Sequence, residues 1–151
     1  MMTGKSVLTP AELLYEEDFI AWTELMATLL ENRDVADLDW DHLAEEIRDL
    51  GNSQKSAVES HLENVQLHLI KWEIQPARRA GSWETSISKS RRKLETLCRK
   101  TPSLRAHLRK NFEDCYDTAY RYALVETHLP SGSPYSRWPV EKVLDPGFLP
   151  E

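Results

Sequence analysis

Apolar residues recur at spacings of three and four in every long segment of this chain, and no stretch of useful length alternates with period two. That regularity directs the chain to helices, because an α-helix gathers positions i, i+3, i+4 and i+7 on one face. The longest stripe is Leu104, Leu108, Phe112, Cys115, Ala119 and Tyr122, opened by Thr101-Pro102 with proline at the first helical position. Phe19, Trp22, Met26, Leu29 and Leu30 form a second stripe, preceded by Glu16, Glu17 and Asp18, whose charges suit a helix N-terminus. Asp39 can cap a third, with Trp40, Leu43, Ile47 and Leu50, and the pattern resumes beyond Gly51-Asn52-Ser53 at Val58, Leu62, Val65, Leu69 and Trp72. These two runs are either separate helices or one long helix kinked at Gly51. Pro76 ends the run, since it disfavours helix at Gln75. Ser82 caps a further run with Trp83, Ile87, Leu94 and Leu97, whose expected exposed face is Lys89, Arg91, Arg92 and Lys93.

The two ends are less regular. Thr9-Pro10-Ala11-Glu12 has the form of a capping box, although the following Leu13-Leu14-Tyr15 also suits a docked arm. From Leu129 onward, Pro130, Gly132, Pro134, Pro139, Pro146 and Pro150 allow at most a short helical turn at residues 140–144. A chain of 151 residues is long enough to bury roughly 68–70% of its unfolded surface, so it needs no disulfide or metal staple. The expectation is an all-α fold: a single-domain antiparallel helical bundle of four to five main helices with an irregular proline-rich C-terminal tail. Residues 1–14 would form an arm, 15–127 the bundle, and 128–151 the tail packed on it. No apolar run reaches the length of about 20 residues that a membrane span requires, and no secretory leader is visible, so a cytoplasmic protein without membrane contact is expected.

The net charge of −6 conceals a segregation along the chain. Residues 1–70 carry a net −11, residues 71–110 a net +9, and residues 111–151 a net −4. A basic stretch can release counterions from a nucleic acid, yet acidic and basic helices packed in one bundle also cancel one another, and this second account is preferred. Cys98 and Cys115 are 17 apart, with no second cysteine at metal-ligand spacing. On the arms of a hairpin turning near Thr101 they would be offset by roughly 16 Å of helix, too far for a bridge of about 4.4–6.8 Å between Cα atoms. They read as reduced core thiols.

Three groups of residues bear on chemistry. His61 and His68 fall within about 20° of one helix face, and Glu46, which shares a face with Leu43 and Leu50, is the natural third donor for a metal if it comes from a neighbouring helix, although seven residues separate the histidines by about 10.5 Å. A partly buried structural histidine is the simpler account of His68. Asp39, Asp41, His42, Glu45 and Glu46 crowd one helix start, where a capped, dipole-matched terminus is commoner than a hard-cation or acid–base site. The segment from Lys71 to Trp83, with Arg78 and Arg79 around a proline turn, joins Arg91 and Arg92 as the best anion or partner contact. Of the five tryptophans, Trp22, Trp40, Trp72 and Trp83 sit on apolar stripes and read as core anchors rather than base-stacking platforms. No Walker loop, dinucleotide glycine fingerprint or nucleophile elbow is present.

Several separated motifs, in order, make the chain resemble the bacterial family called domain of unknown function 29. They are Y-E-E-D-F-I-A-W at Tyr15 to Trp22, L-A-E-E-I-R-D-L-G at Leu43 to Gly51, and H-L-I-K-W-E-I-Q-P at His68 to Pro76. Ser82-Trp83, P-S-L at Pro102 to Leu104, E-T-H-L-P at Glu126 to Pro130 and V-L-D-P-G-F-L-P at Val143 to Pro150 follow. The resemblance implies an all-helical fold without an established biochemical role, and its polar motif residues are Asp18, Glu45, Glu46, His68, Lys71 and Gln75. The absence of a catalytic motif set favours a non-enzymatic module that binds another protein or itself, with no cofactor expected. The alternatives are a metal-dependent or acid–base enzyme using Glu46 and His68, and nucleic-acid binding through residues 71–110.

Overall fold

The computed structural model describes residues 7–151; residues 1–6, the start of the expected N-terminal arm, lie outside the described residues. Six α-helices follow one another without a strand among the described residues: α1 Pro10–Glu17, α2 Phe19–Glu31, α3 Trp40–Ile74, α4 Gly81–Arg99, α5 Pro102–Thr127 and α6 Val140–Leu144. The all-α expectation holds. Cα packing divides the chain into two compact units, Met1–Asn52 and Ser53–Glu151, with α3 contributing its first turns to one and the remainder to the other.

Local chemistry accounts for most boundaries. Thr9 closes the capping box: its hydroxyl accepts from Glu12 N (3.2 Å) while Glu12 Oε2 accepts from Thr9 N (2.6 Å). The segment Leu13-Leu14-Tyr15 is therefore helix rather than arm. Asp18 ends α1 and begins α2, its Oδ1 accepting from Ala21 N at 3.0 Å. Gly51 does not break α3, which runs for 35 residues; a solvent-exposed glycine weakens a helix by only about 1 kcal/mol, and the neighbouring turns outweigh it. Ser82 is not the cap of α4, which starts one residue earlier, after an extended Ala80 that offers no side-chain cap. Beyond α5, His128 takes a left-handed conformation (φ 55°) and the chain becomes irregular apart from α6.

In the first unit the buried hydrophobic set is small: Ala11, Trp22, Met26 and Leu38, with Leu14, Tyr15, Leu29 and Leu43 packed against it. The second unit has the larger core. Val58, Leu62, Val65, Leu69 and Ile70 of α3 meet Ile87 and Leu94 of α4, Leu104, Leu108, Phe112, Cys115, Tyr116, Ala119 and Ala123 of α5, and Val143 of α6. Tyr122 departs from the expected α5 stripe: it is exposed, and Tyr116 and Ala123 take the interior instead. The irregular tail contributes by threading aromatic and apolar groups onto this core, with the Tyr116 hydroxyl donating to Trp138 O and accepting from Trp138 N.

Candidate functional site

The first unit assembles a polar cluster beside an apolar groove. Asp39, one residue ahead of α3, is buried and uses both carboxylate oxygens: Oδ2 accepts from Trp22 Nε1 (3.1 Å) and from His42 Nδ1 (2.6 Å), and Oδ1 accepts from His42 N (3.4 Å). A buried indole N–H needs an acceptor, and Asp39 supplies it. The hydrogen bond His42 donates to Asp39 holds the imidazole above its ordinary range, opposed by desolvation. Tyr15 stacks flat on the His42 ring, with centroids 3.8 Å apart, and its hydroxyl donates to Glu46 Oε1 at 2.6 Å. That bond, with some burial and the nearby acidic charges, pushes the Tyr15 hydroxyl up to about 12. Asp39, His42, Glu45 and Glu46 were legible as a charged helix start; Tyr15 and Trp22 as their polar partners were not. The one available clue is that an interior tryptophan demands a hydrogen-bond acceptor.

Glu46 also borders the groove, which lies between α2 and the first turns of α3 and encloses about 430 Å³. Phe19, Trp22, Met26, Leu30, Ile47 and Leu50 are among the residues that line it. Here the sequence expectation fails in an informative way. The stripes of α2 and early α3 were expected to be core, yet Phe19 is 43% exposed, Leu30 50%, Ile47 65% and Leu50 71%, and Trp40 is exposed as well. Of the thirteen large hydrophobic residues exposed among the described residues, eleven belong to the first unit. Its sequence, residues 1–52, carries three Lys or Arg against thirteen Asp or Glu, a net −10.

The other expected site residues lie in the second unit and are largely engaged. Lys71 is buried: its ammonium donates to Glu126 Oε2 at 2.6 Å and sits 4.4 Å above the centre of the half-buried Trp83 ring. His68 Nδ1 donates to Asn64 O (2.8 Å), and burial lowers its pKa; His61 Nδ1 stands 3.4 Å from Ser90 Oγ, also with a pKa lowered by burial. Gln75 leads into the 3₁₀ turn Pro76–Arg78. Arg79 donates to Trp72 O and to Glu151 O, both at 2.8 Å, and so ties Glu151 to the end of α3, while Arg78 is exposed. Arg91, expected on an exposed face with Arg92, is instead buried under the tail, with Nε donating to Val143 O at 2.8 Å.

Glu46 and His68 each find their partner within their own unit, and no group of three or more His, Cys, Asp or Glu among the described residues stands where it could hold a metal ion. Both cysteines are free thiols; burial, reinforced by the Glu63 and Glu59 charges, pushes Cys115 up to about 12, which makes it a poor nucleophile. No helix among the described residues is long and apolar enough to cross a membrane.

A family model described as Domain of unknown function DUF29 matches residues 14–149, nearly the whole chain. No curated protein and no solved structure matches it.

Proposed function

The chain belongs to the Domain of unknown function DUF29 family, and from that premise we propose that it is a non-enzymatic binding module whose acidic N-terminal unit holds an apolar helix face, flanked by Lys and Arg, from a partner protein. The observation that supports this reading most is the exposure of Phe19, Leu30, Ile47 and Leu50 around one groove. Scattered exposed leucines need no explanation, but a contiguous apolar patch rimmed by polar groups is the usual mark of an interaction site. A groove between two helices accepts a third helix through anchors at i, i+3, i+4 and i+7. Charge selects the occupant. Glu24, Glu31, Asp41, Glu45, Glu46 and Asp49 stand on α2 and early α3 against a single Arg48, so a cationic flank is attracted. The same surface of a second copy would bring an equal negative charge, which disfavours a symmetric self-pairing.

Trp22 lines the groove and reports occupancy by fluorescence. The test is a titration of the full chain with an amphipathic helical peptide of Leu and Lys, and with its Leu and Glu counterpart. Saturable binding of the first alone, abolished by Ile47→Glu with Leu50→Glu, is the expected result. Binding that ignores these substitutions, or that favours the acidic peptide, overturns the reading. Concentration-dependent dimerisation at moderate salt, lost in the same double variant, would replace the partner protein with a second copy.

A further inference from the structure

We propose that the cavity between α4 and the C-terminal tail of the second unit is a binding site for the phosphate group of a small molecule. It encloses about 340 Å³ and is lined by Ser88, Arg91, Arg92, Glu95, Leu144 and Pro146. A volume near 300 Å³ is at the small end of ligand pockets and suits a phosphate with a short organic group attached. The four α4 residues follow positions i, i+3, i+4 and i+7, so one helix face presents them all.

Arg91 supplies the main reason. It is 6% exposed, Nε is taken by Val143 O, and buried Nη2 has no partner within the protein. None of the ion pairs among the described residues involves Arg91. Asp145 acts on it only at a distance, and its Oδ1 accepts from Gly147 N at 2.9 Å. A desolvated guanidinium without a hydrogen-bonded counter-ion is unfavourable, and because Arg91 stands in the cavity wall, an anion there lowers that cost through its charge. The planar fork of an arginine matches phosphate oxygens in pairs, and exposed Arg92 and the Ser88 hydroxyl stand on the same face to supply further donors.

The surroundings favour an anion. Glu95 is the one carboxylate in the lining, and it pairs with Arg99 Nη2 at 3.2 Å. Arg92 is shared with a neighbouring basic depression that also contains Lys89 and Lys93. Leu144 and Pro146 form an apolar wall, which lowers the local dielectric and suits an ester group beyond the phosphate. Two arginines and a hydroxyl offer more donors than the two oxygens of a carboxylate accept. Because Arg91 lies inside, a polyanion running across the surface would reach only the exposed members of the group.

The experiment is calorimetric titration of the full chain with inorganic phosphate and with phenyl phosphate, at constant ionic strength held with sodium chloride. Saturable one-to-one binding is expected, tighter for phenyl phosphate, with at least a tenfold loss in Arg92→Ala and a gain in Glu95→Gln. Arg92 is exposed, so its variant keeps the fold even if Arg91→Lys does not. Absence of saturable binding, or equal binding by wild type and Arg92→Ala, overturns the site. So does a DNA duplex that binds with steep salt dependence while both small phosphates fail.

Discussion

Ile47 and Leu50 lie on the same helix and in the same periodic pattern as Val58, Leu62, Val65 and Leu69, yet the first two are largely exposed and the last four have no exposed surface. The difference is what each unit provides to cover the stripe. In the second, α4, α5 and the tail close over α3; in the first, α1 and α2 bury Ala11, Trp22, Met26 and Leu38 and leave the rest of the apolar face open. Amphipathic periodicity states which residues share a face. Whether another element covers that face is decided elsewhere in the chain, and in the first unit the proposed cover is a partner protein.

The comparison can be broken most severely in the second core. Leu62→Ala leaves a cavity among fully buried neighbours and should cost about 2–5 kcal/mol in urea unfolding, whereas Leu50→Ala, on the open face, should change stability by less than about 0.5 kcal/mol. Comparable losses from both would mean that the two faces are equally packed. Next in size is Asp39→Ala, which orphans the Trp22 indole N–H and releases His42; a loss of about 2 kcal/mol is expected, with near-ultraviolet dichroism reporting the change at Trp22.

Gly51→Ala sharpens the boundary between the units. Nothing lies within 4 Å of a Cβ placed there and the residue is helical, so the substitution should stabilise the chain by about 0.5–1 kcal/mol. A loss of stability or helicity on circular dichroism would contradict a continuous α3.

The smallest effect is a difference in pH response. The raised pKa of His42 means that its contribution to stability is complete below the ordinary value of 6.5 and is lost as pH rises through the folded-state value. His68, lowered chiefly by burial, behaves in the opposite sense: its contribution is present above 6.5 and is lost as pH falls through the folded-state value. NMR titration of the ring protons should therefore find His42 above 6.5 and His68 below it. The same order in both, or its reverse, would remove the distinction between the two environments.

Most of the helical framework was legible, because caps, prolines and stripes are local signals: Thr9, Pro76, Pro102 and the short helix at Val140–Leu144 fall where those signals place them. What was illegible depends on contacts distant in sequence. Arg91 looks solvent-facing from its neighbours on α4, and its hydrogen-bond acceptor, Val143 O, lies 52 residues later. Lys71 reads as an exposed cation until Glu126, 55 residues on, takes its charge. The polar cluster was half legible for the same reason. Asp39 and His42 are local to one helix start, while Trp22 and Tyr15 reach them from α2 and α1.

The most direct test of the open face is methyl NMR of the full chain with the Leu and Lys peptide added. The methyl signals of Leu30, Ile47 and Leu50 are predicted to shift in a saturable manner while those of Val58, Leu62, Val65 and Leu69 stay in place. Unmoved Ile47 and Leu50 signals, or shifts confined to residues 53–151, would contradict the assignment of this groove as the binding surface.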